Sequence, residues 1–257
     1  MPALAGVRGC FFMKSMIFAA GLGTRLKPLT DHMPKALVPI AGKPLLGHVI
    51  QKLKDAGSDE MIINVHHFPD QIIEYVRSQN SFGIRIAFSD ERQQLLETGG
   101  GIKKAADFFD DGKPFLVHNA DILSNLDIAA LYQQHLRTNP LATLVVSERD
   151  TFRYLLFNDD LQLKGWVNEK TGELRPDGFS KPELYRKLAF SGIQVLSPKV
   201  FELMNDFGER FSIMDFYLSV VRSQQILGFV PDNYQMIDVG KLDALDKAEE
   251  FCNNLLI

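Results

Sequence analysis

Cysteine is scarce in this chain of 257 residues: it has two, Cys10 and Cys252, near opposite ends. Neither belongs to a C-x-x-C pair or a Cys/His cluster, which excludes zinc and disulfide frameworks and makes a reducing, cytoplasmic setting the expectation. Long apolar runs are also missing. None reaches the roughly 18 residues that span a bilayer, so no membrane partner is expected. A surplus of one charge is absent too, with 28 Lys and Arg against 32 Asp and Glu and a formal net charge of −4. Such a chain has no overall electrostatic footprint for nucleic acid, and any phosphate it binds must be held locally. There is no repeat, no low-complexity block and no Gly/Ser/Pro-rich linker.

What is present reads as an ordinary globular protein, with 46% hydrophobic and 23% charged residues. A chain of this length buries roughly three quarters of its unfolded surface and needs no staples. The first dozen residues are too weakly apolar for a secretory signal. Residues 1–13 are expected to be a loose extension, and residues 14–257 a single domain.

Hydrophobic periodicity predicts strands at Ser15–Ala20, Met61–Val65, Ile84–Phe88 and Phe115–His118. Helices are predicted between them at Leu45–Leu53, stopped at Gly57, and at Gln71–Arg77; the triplet Gly99–Gly101 opens a short helix, and Ile128–Leu136 is another. This alternation argues βαβ units and a mostly parallel sheet. The rhythm then changes to strands at Ala142–Val146, Tyr154–Phe157, Leu163–Val167 and Phe190–Leu196, with a turn at Lys170–Gly172. Helix patterns return at Ile213–Val221 and Leu242–Leu255, separated by a strand at Gln235–Val239. The expected fold class is therefore α/β: a mixed, mostly parallel sheet flanked by helices, with an antiparallel patch in the second half.

Ligands of such sheets sit at the carboxyl ends of the strands, where three polar segments fall. Ala20-Gly21-Leu22-Gly23-Thr24-Arg25-Leu26 follows the first strand. Its glycines let backbone N–H groups approach a ligand, and Arg25 can meet phosphate. It is no dinucleotide fingerprint, because Leu26 holds the third glycine position, and no P-loop, because no Gly-Lys-Ser/Thr follows. A tight turn with a solvated arginine fits the same residues. Farther on, prolines on either side restrict the backbone that presents Lys35. Arg25 and Lys35 together could hold a polyphosphate. Asp121 ends the apolar run Phe115–His118, and Asp238 ends the strand at Gln235–Val239. A carboxylate so placed can bind a hard cation, or cap a turn.

The run GLGTRLKPLT…MPKALVPI resembles the N-terminal signature of the sugar-1-phosphate nucleotidyltransferases, and the likeness extends from about Lys14 to the C-terminal helix. It implies a Rossmann-like nucleotidyltransferase fold, with an NTP-binding part at about 14–140 and a sugar-binding part at about 141–257. It also implies an NTP and a sugar 1-phosphate as partners, Mg²⁺ as cofactor, and a monomer or small homo-oligomer. Ala20, Gly21, Gly23 and Thr24 would cradle the nucleotide, with Arg25 and Lys35 on its phosphates. The Leu95–Gly101 run resembles the loop that reads the nucleobase, which assigns Thr98, Gly99 and Gly100 to the base. Asp121 and Asp238 resemble the metal-binding aspartates. Asn119, Asn168, Ser191 and Gly192 fall where such enzymes hold the sugar. Three positions depart from the family pattern: Ala120 and Glu97 stand where glycine is usual, and Lys241 replaces a threonine.

The implied reaction is attack of the sugar's phosphate oxygen on the α-phosphorus of the NTP, with loss of pyrophosphate. The Leu-Glu-Thr-Gly-Gly-Gly run and Gly-Trp-x-Asn…Thr-Gly-Glu look most like uridylyltransferases acting on N-acetylmuramic acid 1-phosphate. Mannose-1-phosphate guanylyltransferases, glucose-1-phosphate thymidylyltransferases and phosphocholine cytidylyltransferases remain alternatives. So does a nucleotide-sugar sensor without turnover. A dehydrogenase is disfavoured by the missing third glycine.

Overall fold

The computed structural model describes residues 12–255. The expectation for residues 1–13 lies almost wholly outside the described residues, as does Cys10. Phe12 and Met13 are described: Phe12 is exposed, and Met13 is buried and opens the first strand.

Four parallel strands form the first half of the sheet: β1 (Met13–Phe18), β4 (Ser58–Val65), β5 (Arg85–Asp90) and β6 (Phe115–Asn119). β1 lies between β4 and β6, and β5 flanks β4. Alternate residues of these strands point to opposite faces. Met16, Ile62 and Val117 join one core, which α3 (Glu97–Lys104) and α6 (Ile213–Val220) help to cover. Ile17, Ile63 and Leu116 join the other, under α1 (Leu45–Asp55), α2 (Pro69–Ser78) and α4 (Ile128–Thr138). Parallel strands buried on both faces need such continuous apolar runs. Asp127 fixes the start of α4 by accepting from the Ala130 N–H at 2.9 Å, and Ser212 does the same for α6 from Met214 at 3.1 Å.

The second half turns antiparallel through the long strand β12 (Arg186–Leu196), which pairs with β6, β8 (Ala142–Ser147) and β9 (Arg153–Phe157). β10 (Leu163–Asn168) and β11 (Glu173–Arg175) extend the sheet beyond β9 through the expected turn. β13 (Ile226–Phe229) runs parallel to β8, and a short helix α5 (Lys199–Leu203) follows β12. β12 slips register against β8 between Phe190 and Gln194, around Gly192 with its φ of 74°. The sheet is thus mixed.

The polar stretch 21–44 forms three single 3₁₀ turns and a small hairpin of β2 (Pro39–Ile40) and β3 (Lys43–Pro44). A separate two-stranded ribbon pairs β7 (Ile122–Ser124) with β14 (Met236–Asp238). The C-terminal helix α7 (Leu245–Leu255) buries Ala248 and Cys252 against Leu26, Val38, Leu123 and Val239. One small apolar cluster therefore ties the glycine-rich loop to the ribbon that bears Asp238. No helix among the described residues is long and apolar enough to cross a membrane.

Candidate active site

At the carboxyl edge of β1 and β6 lies a cleft of about 250 Å³. Ala20, Gly21, Lys35, Thr98, Asn119 and Asp121 line it, together with Asn64, Leu95 and Glu97. The first six were all expected at the site from sequence. Asn64 was not. Its side-chain oxygen accepts from the Ala19 N–H at 2.8 Å and the Ala20 N–H at 3.3 Å, so it shapes the turn out of β1. Its amide in turn donates to Oε1 of Glu91 at 2.9 Å, and the other Glu91 oxygen accepts from the Leu96 N–H at 3.1 Å. A lone asparagine inside the run Met61–Val65 was the available signal, since a polar group buried in a strand needs a partner.

The two glycines of the first loop have different reasons to be glycine. Gly23 has a φ of 64°, and a Cβ there would stand 2.8 Å from the Thr30 methyl group and 3.1 Å from Cβ of Lys35. Gly23 is required by the protein's own packing and lies outside the cleft wall. A Cβ on Gly21 would meet no protein atom within 4 Å. Gly21 faces the cleft, so space beside it is open to a ligand.

Lys35 and Asp121 form an ion pair in this cleft, with the lysine side chain 11% exposed and the aspartate 26% exposed. Asp121 and Asp238 come from adjoining segments: the Val239 N–H donates to the Asp121 carbonyl at 2.9 Å, and Asp238 pairs with Ile122. Asp238 is exposed beside the cleft rather than in its wall. Gly240 lets two groups close in, since a Cβ there would stand 2.7 Å from the Arg25 guanidinium and 2.7 Å from the Asp238 carboxylate. Arg25 and Asp238 therefore both lie against Gly240. Thr24 is exposed in the same 3₁₀ turn, outside the cleft wall.

Other expected residues have different duties. The N–H groups of Gly99 and Gly100 donate to the Phe211 carbonyl at 2.9 and 3.1 Å, and side chains at these positions would strike Phe211 and the Glu209 carbonyl. These glycines admit the segment 209–211, and their N–H groups are taken up by the Phe211 carbonyl. The Thr98 hydroxyl accepts from the Ile213 N–H at 2.9 Å, and its proton remains free for the cleft. Ser191 is buried with its hydroxyl unpartnered among the described residues, which removes it from the cleft surface. Gly192 permits close approach of Asn119, whose amide nitrogen would lie 2.7 Å from a Cβ there. Glu97, one of the departures from the family pattern, adopts a φ of 62°, a conformation that favours glycine.

Asn168 lines a second cleft of about 480 Å³ with Arg149, Arg153, Trp166 and Arg175. The two clefts adjoin, because Ile213, bonded to Thr98, lies between Ser212 and Met214 of the second wall, and Gly192, against Asn119, is two residues from Phe190 of that wall. Of the histidines, His66 Nδ1 bonds the Glu91 carbonyl at 2.7 Å, in keeping with a structural role.

Carboxylates and basic groups around an open, glycine-floored cleft suit a magnesium-bound polyphosphate. No group of three or more His, Cys, Asp or Glu side chains that could hold a metal exists among the described residues. Mg²⁺ does not require one, since it is commonly held by one or two carboxylates, with water and substrate phosphates completing the shell. The oxygen donors of Asp121 and Asp238 fit that demand.

The family model described as nucleotidyl transferase matches residues 14–254. N-acetylmuramate alpha-1-phosphate uridylyltransferase of Neisseria meningitidis is 36% identical over 192 residues, covering 74% of this chain and 78% of that protein. Mannose-1-phosphate guanyltransferase of Yarrowia lipolytica is 32% identical over 75% of this chain, but the match spans only 52% of the yeast enzyme. Among solved structures, HddC from Yersinia pseudotuberculosis complexed with GMP-PN superposes with a TM-score of 0.74 at 27% identity, covering 94% of this chain and 100% of that one.

Proposed function

Since the chain belongs to the nucleotidyl transferase family, we propose that it joins a nucleoside monophosphate from an NTP to a sugar 1-phosphate and releases pyrophosphate. UTP and N-acetylmuramic acid 1-phosphate are the preferred pair. The observation that carries the chemistry is the single cleft in which Gly21, Lys35 and Asp121 meet at the carboxyl edge of the sheet. The choice of sugar rests on the likeness to the Neisseria uridylyltransferase, which covers more of both chains than the likeness to the guanyltransferase does.

The reaction needs no protein nucleophile, because a phosphate monoester is already anionic at neutral pH. The obstacles are repulsion between two anions and charge growing on the departing pyrophosphate, so positioning and electrostatics supply the catalysis. Lys35 is held in place by Asp121 and places its ammonium where phosphate charge gathers. Arg25, which lies with Asp238 against Gly240, adds a fork suited to phosphate oxygens. The open space at Gly21 allows the nucleotide to lie against the backbone. Asp121 and Asp238 would hold Mg²⁺, which when bound supplies positive charge against the reacting phosphates.

The test is pyrophosphate release with UTP, dTTP, GTP and CTP, each against N-acetylmuramic acid, N-acetylglucosamine, mannose and glucose 1-phosphates and phosphocholine. The reading predicts the highest kcat/KM for UTP with N-acetylmuramic acid 1-phosphate, and loss of turnover on chelation of Mg²⁺. Preference for GTP with mannose 1-phosphate would instead support guanylyl transfer. Nucleotide binding without pyrophosphate release would identify a sensor.

A further inference from the structure

The second cleft has a floor built by strand alternation. In the register of the antiparallel patch, Asn168 stands opposite Arg153 on one side and Glu173 on the other, while Trp166 stands opposite Leu155 and Arg175. Period-two alternation therefore puts these six side chains on one face of β9, β10 and β11. All six line the cleft. From the opposite wall Arg149 donates to the Phe190 carbonyl at 3.1 Å, beside the segment that packs on Asn119 of the first cleft.

The charges in this cleft are incompletely matched. Arg175 is paired with Asp215 at 2.7 Å. Neither Arg149 nor Arg153 forms an ion pair among the described residues, although Glu173 lines the same cleft. Two guanidinium groups without an ion pair, in one cleft with a tryptophan and an asparagine side chain, make a site for a ring that carries an anion. Arginine suits carboxylate because its planar fork can meet both oxygens, and the indole offers the ring an apolar surface.

We propose that Arg149 and Arg153 form an anion subsite for a carboxylate borne by the sugar itself, remote from its 1-phosphate, and so select acidic sugars over their neutral parents. This rests on the reading that the enzyme uses sugar 1-phosphates. N-acetylmuramic acid meets the requirement through its lactyl ether; glucose and mannose have no carboxylate to offer. Trp166 and Asn168 then hold the ring between this subsite and the first cleft.

The experiment compares kcat/KM for two acid-neutral pairs: N-acetylmuramic acid 1-phosphate against N-acetylglucosamine 1-phosphate, and glucuronic acid 1-phosphate against glucose 1-phosphate. It uses the wild-type chain, Arg149→Met, Arg153→Met and the conservative Arg153→Lys, with folding of each checked by circular dichroism. The wild type should favour the acid in at least one pair. The ratio of acid to neutral should fall about ten- to a hundredfold in the methionine variants, as expected for loss of a charge-assisted contact, and recover in part with lysine. A wild type that prefers the neutral sugar in both pairs overturns the subsite. So does an equal loss on acid and neutral sugars, which would assign the arginines to the shared 1-phosphate. Acid preference confined to the glucuronic pair would leave the subsite standing and reject N-acetylmuramic acid as the sugar.

Discussion

Gly21 and Gly99 separate two meanings of the same residue type. Each looks, in sequence, like a place where backbone meets ligand. Gly99 instead touches Phe211, a contact between segments far apart in the chain that no local pattern announces. Gly99→Ala should lower stability by about 1–3 kcal/mol through overpacking, read as a shift in the urea midpoint. Gly21→Ala should leave that midpoint unchanged, because nothing in the protein lies near the added methyl group. It should raise KM for the NTP about tenfold, as a modest steric conflict with the ligand would. A fall in stability from Gly21→Ala with no change in KM would contradict the assignment. The charged residues were easier to read than the glycines. Lys35 and Asp121 followed from proline spacing and from a strand's end, and they meet in the structure.

Among the elements, the connection from β4 through β5 to α3 depends on Glu91. The buried carboxylate accepts from Asn64 of β4 and from the N–H of Leu96 just ahead of α3. Glu91→Ala leaves both donors unpaired and should cost about 2–4 kcal/mol. Because Asn64 also holds the turn at Ala19 and Ala20, the same variant should weaken nucleotide binding. Denaturant titration and nucleotide titration test the two effects separately; unchanged stability would contradict the first. Most strands and helices were legible from apolar periodicity, including the antiparallel patch after residue 140. The expected strand Gln235–Val239 was found as β14, but in a separate ribbon with β7, because pairing partners are set by long-range packing. The loop 21–44 shows in sequence as a polar stretch punctuated by prolines. Its 3₁₀ turns were not legible, since they depend on Thr30 bonding Gly23 and on α7 closing from below.

The whole molecule carries a pH dependence set by two buried histidines. Burial depresses His118 to about 4, against the opposing bond to the Asn119 carbonyl, and burial likewise depresses His135 to about 4. Both rings are therefore neutral in the folded chain at neutral pH. An unfolded chain binds protons at these rings first as pH falls through about 6.5. Their contribution is complete above about pH 6.5 and is lost progressively down to about 4, on the order of 3 kcal/mol for each ring. Unfolding midpoints in urea should fall steeply between pH 7 and pH 4, and His135→Gln should flatten that slope. A slope unchanged by the substitution would reject the role of His135.

Across the full chain, the proposed catalysis turns on charge at one point of the cleft. The most direct measurement is single-turnover pyrophosphate release by Asp121→Asn, with folding confirmed and with Mg²⁺ and both substrates saturating. The carboxylate is predicted to be essential, so the rate should drop by about a hundredfold or more. A folded Asp121→Asn enzyme that releases pyrophosphate at the wild-type rate would contradict the account.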